Sequence, residues 1–334
     1  MNATPYPWQE TQWTRWEQRV RQERVPHGLL LAGPAGLGKA HFARVLAQSA
    51  LCLQPDAHGQ ACGSCQACQL FAAGTHPDFQ SLTLEDSETT GKESTQIRVD
   101  QVRELVEFMY LSRNLDRYKV AIISPAEAMN RSAANSLLKT LEEPPPMALL
   151  ILVSTQPALM PSTIRSRCQR IDFQAAENSA ATDWLKAQGI DRPEELLHIA
   201  RGAPLQALDL GDAETMALRQ RLLDQIEAVM TGRGGVVETA ADWKEYDDLG
   251  RLLDWLTAWL RDMLRYRQAP EADAATDIDL APRLSALAER IDIKKAYRLE
   301  ERMLEARRQI HAGLNQDLLR ESILLSWLSA MRRA

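Results

Sequence analysis

Apolar residues in the first half of the chain fall alternately into short unbroken runs and helical stripes. Trp13, Trp16 and Val20 recur at spacings of three and four, which predicts an N-terminal helix ending before Pro26. Leu29-Leu30-Leu31-Ala32 is a continuous run, the pattern of a short buried strand, and it leads directly into Gly33. A helix is predicted from about Lys39 to Leu51. The polar stretch 83–96 reads as a surface loop. A helix from about Val99 to Met109 and a strand at Lys119–Ile123 follow. Asn130 suits the N-cap of a helix carrying Ala133, Ala134, Leu137, Leu138 and Leu141 on one face, which Pro144-Pro145-Pro146 stops. Leu149–Ser154 is a further buried strand. After Phe173 strand patterns largely disappear. Residues 174–212 read as a small helical unit, and 213–334 as wholly helical, closing on Leu318, Leu319, Ile323, Trp327 and Met331. Strands alternating with helices predict an α/β domain with a mainly parallel sheet.

The chain's 334 residues suffice for two or three domains. With 45% hydrophobic and 25% charged residues, its composition is that of an ordinary globular protein. The longest apolar run, Met147 to Val153, is too short to span a bilayer, and Met1-Asn2-Ala3-Thr4-Pro5 lacks the pattern of a secretory signal. A cytoplasmic protein without a membrane role is expected. The net charge of −6 argues against tight DNA binding by the chain alone. Arg15, Arg19, Arg21 and Arg24 are interleaved with Glu17 and Glu23, the pattern of a solvated helix face. The tryptophans at 8, 13 and 16 are read as packing residues.

Residues 33–40, Gly-Pro-Ala-Gly-Leu-Gly-Lys-Ala, match a phosphate-binding P-loop in seven of eight positions. Gly33, Gly36 and Gly38 let backbone N–H groups wrap a phosphate, and Lys39 adds a charge near the outer phosphates. Ala40 stands where a Ser or Thr hydroxyl would hold magnesium. The strand ending at Ile123 runs into Ser124-Pro125, where an ATPase of this architecture carries an acidic pair. Glu127 lies two residues beyond that pair, and the strand exit is read as a structural turn.

Five cysteines occur, four of them at 52, 62, 65 and 68. Four thiolates complete a tetrahedral zinc shell, which points to a structural site rather than to catalysis. A redox use of the Cys-x-x-Cys pairs is the competing reading. His76 is read as capping the turn at Pro77, and Cys168 as a small buried residue.

Three further stretches carry a resemblance: Asn135 to Pro145 (Asn-Ser-Leu-Leu-Lys-Thr-Leu-Glu-Glu-Pro-Pro), Pro161 to Cys168 with its Ser166-Arg167-Cys168 motif, and Gly74-Thr75-His76-Pro77-Asp78. With the P-loop they cover residues 29 to 173 in order. The chain resembles the clamp-loader subunits of bacterial DNA polymerase III, a branch of the AAA+ superfamily, and within them the delta-prime members. The resemblance implies an AAA+ domain at 1–173 with a zinc module at 52–68, a helical lid at 174–212 and a helical collar at 213–334.

The departures matter as much as the matches. The motor subunits of that family, gamma and tau, carry Thr at the position of Ala40, Asp-Glu at Ser124-Pro125, and a lid arginine within the stretch matching Gly202-Ala203-Pro204-Leu205. Thr155 stands at the family's first nucleotide sensor. The resemblance implies a non-catalytic subunit that supplies Arg167 to a neighbouring motor subunit. Its implied partners are gamma/tau and delta subunits, the beta sliding clamp and primed DNA through the assembled complex. It would join a DNA polymerase holoenzyme without forming a phosphodiester bond itself. Structural zinc is expected and magnesium-dependent hydrolysis is not. Retained ATP binding through Gly33, Gly36, Gly38 and Lys39 stays open as an alternative, ahead of a working ATPase.

Overall fold

A computed structural model describes residues 4–84, 96–176, 179–246, 248–268, 279–310 and 315–331. Most of the expected loop at 83–96 lies outside these residues. Contacts divide the chain into two compact units, Met1–Trp184 with Ala203–Leu205, and Leu185–Gly202 with Gln206–Ala334.

The first unit holds strands β1 (Gly28–Ala32), β2 (Phe79–Leu82), β3 (Lys119–Ile123), β4 (Ala148–Ser154) and β5 (Gln169–Asp172). Its helices include α1 (Glu10–Arg21), α2 (Lys39–Leu51), α3 (Gln66–Ala72), α4 (Val99–Tyr110), α5 (Arg131–Ser136), α6 (Leu138–Glu142) and α7 (Ser162–Arg165). The five strands form one sheet in the order β2-β3-β4-β1-β5, and every pairing is parallel. This is the expected α/β class. The three central strands β1, β3 and β4 are buried along their whole length, which is why they read as unbroken apolar runs.

Two strands went unread. β2 and β5 are the edges, four residues each and partly exposed, so Phe-Gln-Ser-Leu and Gln-Arg-Ile-Asp carry little apolar signal. The helix expected after Asn130 is also divided. Asn130 caps it by accepting from the Ala133 N–H at 2.8 Å. At Leu137 the chain tightens, with its N–H bonding three residues back to Ala134, so α5 and α6 are separate helices.

Among the described residues beyond β5 the named elements are helices: α8 (Ser179–Ala187), α9 (Pro193–Ile199), α10 (Pro204–Leu210), α11 (Ala213–Met230), α12 (Val236–Asp242), α13 (Leu249–Gln268), α14 (Ala281–Ala288), α15 (Ile293–Ile310) and α16 (Gln316–Ser329). Trp243, Trp259 and Trp327 are fully buried among leucines from α11 to α16. No described helix is long and apolar enough to cross a membrane.

A buried ion pair fixes the β2–β3 edge. Asp78 and Lys119 meet at 3.1 Å with almost no exposure of either side chain. Asp78 also accepts from the N–H groups of Asn114 and Leu115, and Lys119 donates to the Ser112 carbonyl. His76 Nδ1 accepts from the Asp78 N–H, as expected of a turn cap. Burial pushes the Asp78 carboxyl up, but these donors outweigh it and hold it below the ordinary carboxylate range. Asp78→Asn strands a buried ammonium, and urea unfolding should show a loss of about 3–5 kcal/mol. The pair's contribution is present above the unfolded carboxylate value, about pH 4. It is lost as pH falls through the lower folded value, so wild type and variant should converge in acid.

Candidate functional site

The P-loop follows β1 directly. Gly33 has φ 149°, and a Cβ placed there would lie 2.2 Å from the Phe173 carbonyl oxygen, so no other residue fits. Gly38 is left-handed (φ 76°) and caps the N-terminus of α2. Among the described residues, the N–H groups from Gly36 to Ala40 have no hydrogen-bond partner. They form the cradle that the motif requires.

The cradle is braced from its carbonyl side. The buried Gln9 donates through Nε2 to the carbonyls of Leu37 and Gly38, at 2.8 and 3.1 Å. Trp8 Nε1 donates to Leu37 at 3.1 Å, and the Leu205 N–H donates to Gly36 at 3.0 Å. Tyr6 stacks on Trp8 with centroids 4.7 Å apart, and Trp184 meets both rings edge-on. Trp8, Trp13 and Trp16 thus pack, as expected. Gln9, a single polar residue ahead of the first helical stripe, carries no periodic signal of this role.

Lys39 is buried and donates to the Pro34 carbonyl within its own loop. Burial lowers its pKa to about 8, against the raising influence of the Glu127 carboxylate. Glu127 lies in a 3-10 turn, Ala126–Ala128, that carries its side chain back to the end of β4. Its Oε1 accepts from the Thr155 hydroxyl at 2.6 Å and from the N–H groups of Thr155 and Gln156 at 2.9 and 3.2 Å. Spacing alone had set Glu127 aside; the turn brings it to Thr155. Its Oε1 is thereby engaged by Thr155. Position 40 carries no hydroxyl and positions 124 and 125 no carboxylate, so the usual magnesium ligands are missing.

Arg167 lies at the opposite, amino-terminal ends of the strands. It follows α7 and precedes β5, which pairs with β1 from Leu29 onward. A Cβ at Gly28 would lie 3.5 Å from the Arg167 carbonyl oxygen. Gly28 opens β1 and Gly33 follows its end, roughly 16 Å further along an extended strand. An arginine side chain does not span that distance. The guanidinium donates to the Thr163 carbonyl at 2.9 Å and pairs with Glu142 at 2.6 Å. Ser166 Oγ donates to Thr163 as well. Cys168 is buried beside β1, which pushes its thiol up to about 12.

The four remaining cysteines converge. Their sulfurs all lie within 4.8 Å of one another, and Cys52 Sγ is 3.6 Å from Cys62 and 3.9 Å from Cys65. Tetrahedral zinc with Zn–S bonds of about 2.3 Å requires sulfurs about 3.8 Å apart, so the set fits that ion. The N–H groups of Cys62 and Cys65 donate to the sulfurs of Cys52 and Cys62, each at 3.3 Å; the N–H groups of Ser64 and Cys65 draw the Cys62 thiol down to about 6, whereas burial raises that of Cys52. His76 is not among these ligands. The cysteine loop is fastened to α1: Trp16 donates to Ser49, Ser49 donates to the Gly59 carbonyl, and Arg21 donates to that of Ala57.

Two family models match the chain: "DNA polymerase III, delta subunit" over residues 8–177 and "DNA polymerase III, delta subunit, C terminal" over 213–329. The chain is 36% identical to DNA polymerase III subunit delta' of Pseudomonas aeruginosa, over 98% of each sequence. It is 28% identical to the Escherichia coli subunit delta', covering 96% of this chain and 94% of that one. Similarity extends to subunit tau of Bacillus subtilis, at 26% identity over 85% of this chain and 54% of tau. A DNA polymerase III gamma subunit-related protein from Thermotoga maritima aligns at 19% identity with TM-score 0.42, covering 94% of this chain and 99% of that one.

Metal analysis of the purified chain should find one zinc, lost in Cys68→Ser. Chelation should also raise amide exchange in α1, because the loop it is fastened to loses its staple. Glu127→Ala leaves the Thr155 N–H without an acceptor, while Gln156 keeps its bond to Ser154 Oγ, and the change should cost about 1–3 kcal/mol in denaturant unfolding.

Proposed function

The chain belongs to the DNA polymerase III delta-prime family, and on that premise we propose that it is the non-catalytic clamp-loader subunit which lends Arg167 to a neighbour. The observation that carries this reading is the separation of the two sites along β1. Arg167 stands beside Gly28, while the chain's own P-loop begins after Ala32. Held by Thr163 and Glu142 and unable to reach its own phosphate cradle, the half-exposed Arg167 is available to a second molecule. In phosphoryl transfer such an arginine neutralises charge that develops on the transferring group.

Loss of the chain's own hydrolytic groups fits the same role. Ala40, Ser124 and Pro125 remove the metal ligands and the group that orients water, and Glu127 Oε1 is engaged by Thr155. The relatives named tau and gamma supply the natural neighbours, P-loop subunits of the same complex. In the assembled loader the delta subunit, the beta sliding clamp and primed DNA complete the set of partners. Residues 174–212 would form its lid and 213–334 its collar. The protein acts in the cytoplasm as a structural part of the replication machinery.

A second reading, that nucleotide is bound but not cleaved, is favoured by one observation. The N–H groups from Gly36 to Ala40 are left unpartnered around Lys39. Fluorescent ATP titration tests it. Binding without a magnesium ligand should be indifferent to the metal. An anion at Lys39 favours the charged lysine, so affinity should fall as pH rises above about 8. No binding at any pH excludes that reading and leaves the first intact.

For the main reading, the purified chain should show no magnesium-dependent turnover above that of Lys39→Ala. Arg167→Ala should assemble normally and slow hydrolysis at the adjacent motor site by about 10³ or more. Unchanged turnover in a ring containing Arg167→Ala would sink the trans role.

A further inference from the structure

We propose that Glu142 is the positioning residue of Arg167: it holds the guanidinium at the angle from which the neighbouring site is served. The inference rests on the trans-arginine reading and goes beyond it. Two anchors fix the arginine head. One terminal nitrogen donates to the Thr163 carbonyl at 2.9 Å and the other meets Glu142 Oε1 at 2.6 Å. A guanidinium carries five N–H donors in one plane, so two fixed contacts set the plane and leave three donors for an anion.

Both anchors sit on braced elements. Glu142 is the last residue of α6, and the preceding Leu141 is buried, so close to β1 that a Cβ at Gly28 would lie 2.9 Å from it. Thr163 belongs to α7, which the fully buried Ile164 ties to the core. The Arg167 N–H bonds to the Ile164 carbonyl at 3.1 Å, which fixes the backbone from which the side chain departs. The side chains of Arg167 and Glu142 remain 35% and 50% exposed, so the head is held yet open to a second molecule.

Charge and orientation make opposite predictions here. A carboxylate beside the arginine weakens the positive field that a phosphoryl group meets, so neutralising Glu142 should speed hydrolysis if field alone mattered. If Glu142 acts by orientation, the same change should slow it.

The test uses the full-length chain assembled with its P-loop ATPase subunits, with steady-state hydrolysis as readout. Glu142→Gln should lower kcat about tenfold with KM for ATP unchanged, the signature of lost alignment. Glu142→Asp, which keeps the carboxylate, should recover part of the loss. The double variant Glu142→Gln with Arg167→Ala should be no slower than Arg167→Ala alone, since Glu142 acts only through Arg167. Equal kcat for Glu142→Gln and wild type, or a faster Glu142→Gln, overturns the positioning role while a slow Arg167→Ala still upholds the trans reading. An Arg167→Ala complex with wild-type kcat overturns both.

Discussion

The parallel register of β1 between β4 and β5 is the constraint on which the rest depends. Ala32 lies opposite Ser154 on one side and Asp172 on the other. All strands run the same way, so their carboxyl and amino ends form two edges, distinct from the edge strands, that collect different chemistry. The carboxyl edge gathers Gly33, Thr155 and Phe173. The amino edge gathers Gly28, Leu141 and the backbone of Arg167. A single five-residue strand separates them, and its rigidity keeps the phosphate cradle and the arginine apart. Parallel sheets of this kind ordinarily place ligands outside the carboxyl ends of the strands. Arg167 lies at the other end, away from this chain's own phosphate loop.

At the carboxyl ends of the strands, packing alone accounts for much of the phosphate-loop shape. Gly33 must stay glycine because the Phe173 carbonyl crowds it, whether or not a phosphate is ever bound. Gln9, Trp8 and Leu205 hold the loop through its carbonyls, so its shape does not depend on a ligand. Glu127 likewise ties the end of β4 to the turn after β3. Much of the motif therefore survives for packing reasons. Its survival says less about hydrolysis than the loss of the residues around it. The cysteine loop belongs to the same frame, since its hydrogen bonds reach α1, and α1 follows directly on the segment that braces the cradle.

What could be read in the sequence follows burial. The central strands announced themselves because both faces are covered, and α2 because its glycine loop marks its start. The edge strands β2 and β5 did not, since four half-exposed residues carry no period. The cysteine cluster was legible from spacing, and the structure brings all four sulfurs together. Arg167 was legible through its motif, but its distance from the chain's own P-loop was not, because strand order is not written locally. Glu127, Gln9 and Glu142 were missed as participants for one physical reason. Each is a polar residue whose role is set by a partner from a distant segment: Thr155 for Glu127, Leu37 for Gln9, Arg167 for Glu142.

The most direct measurement is a structure of the assembled loader with ADP and a planar phosphoryl mimic in the motor site next to this chain. A trans role requires the Arg167 guanidinium to lie about 2.7–2.9 Å from the mimic's oxygens or their equivalents. A guanidinium turned to solvent, with the mimic contacted only by the motor subunit's own residues, would contradict it.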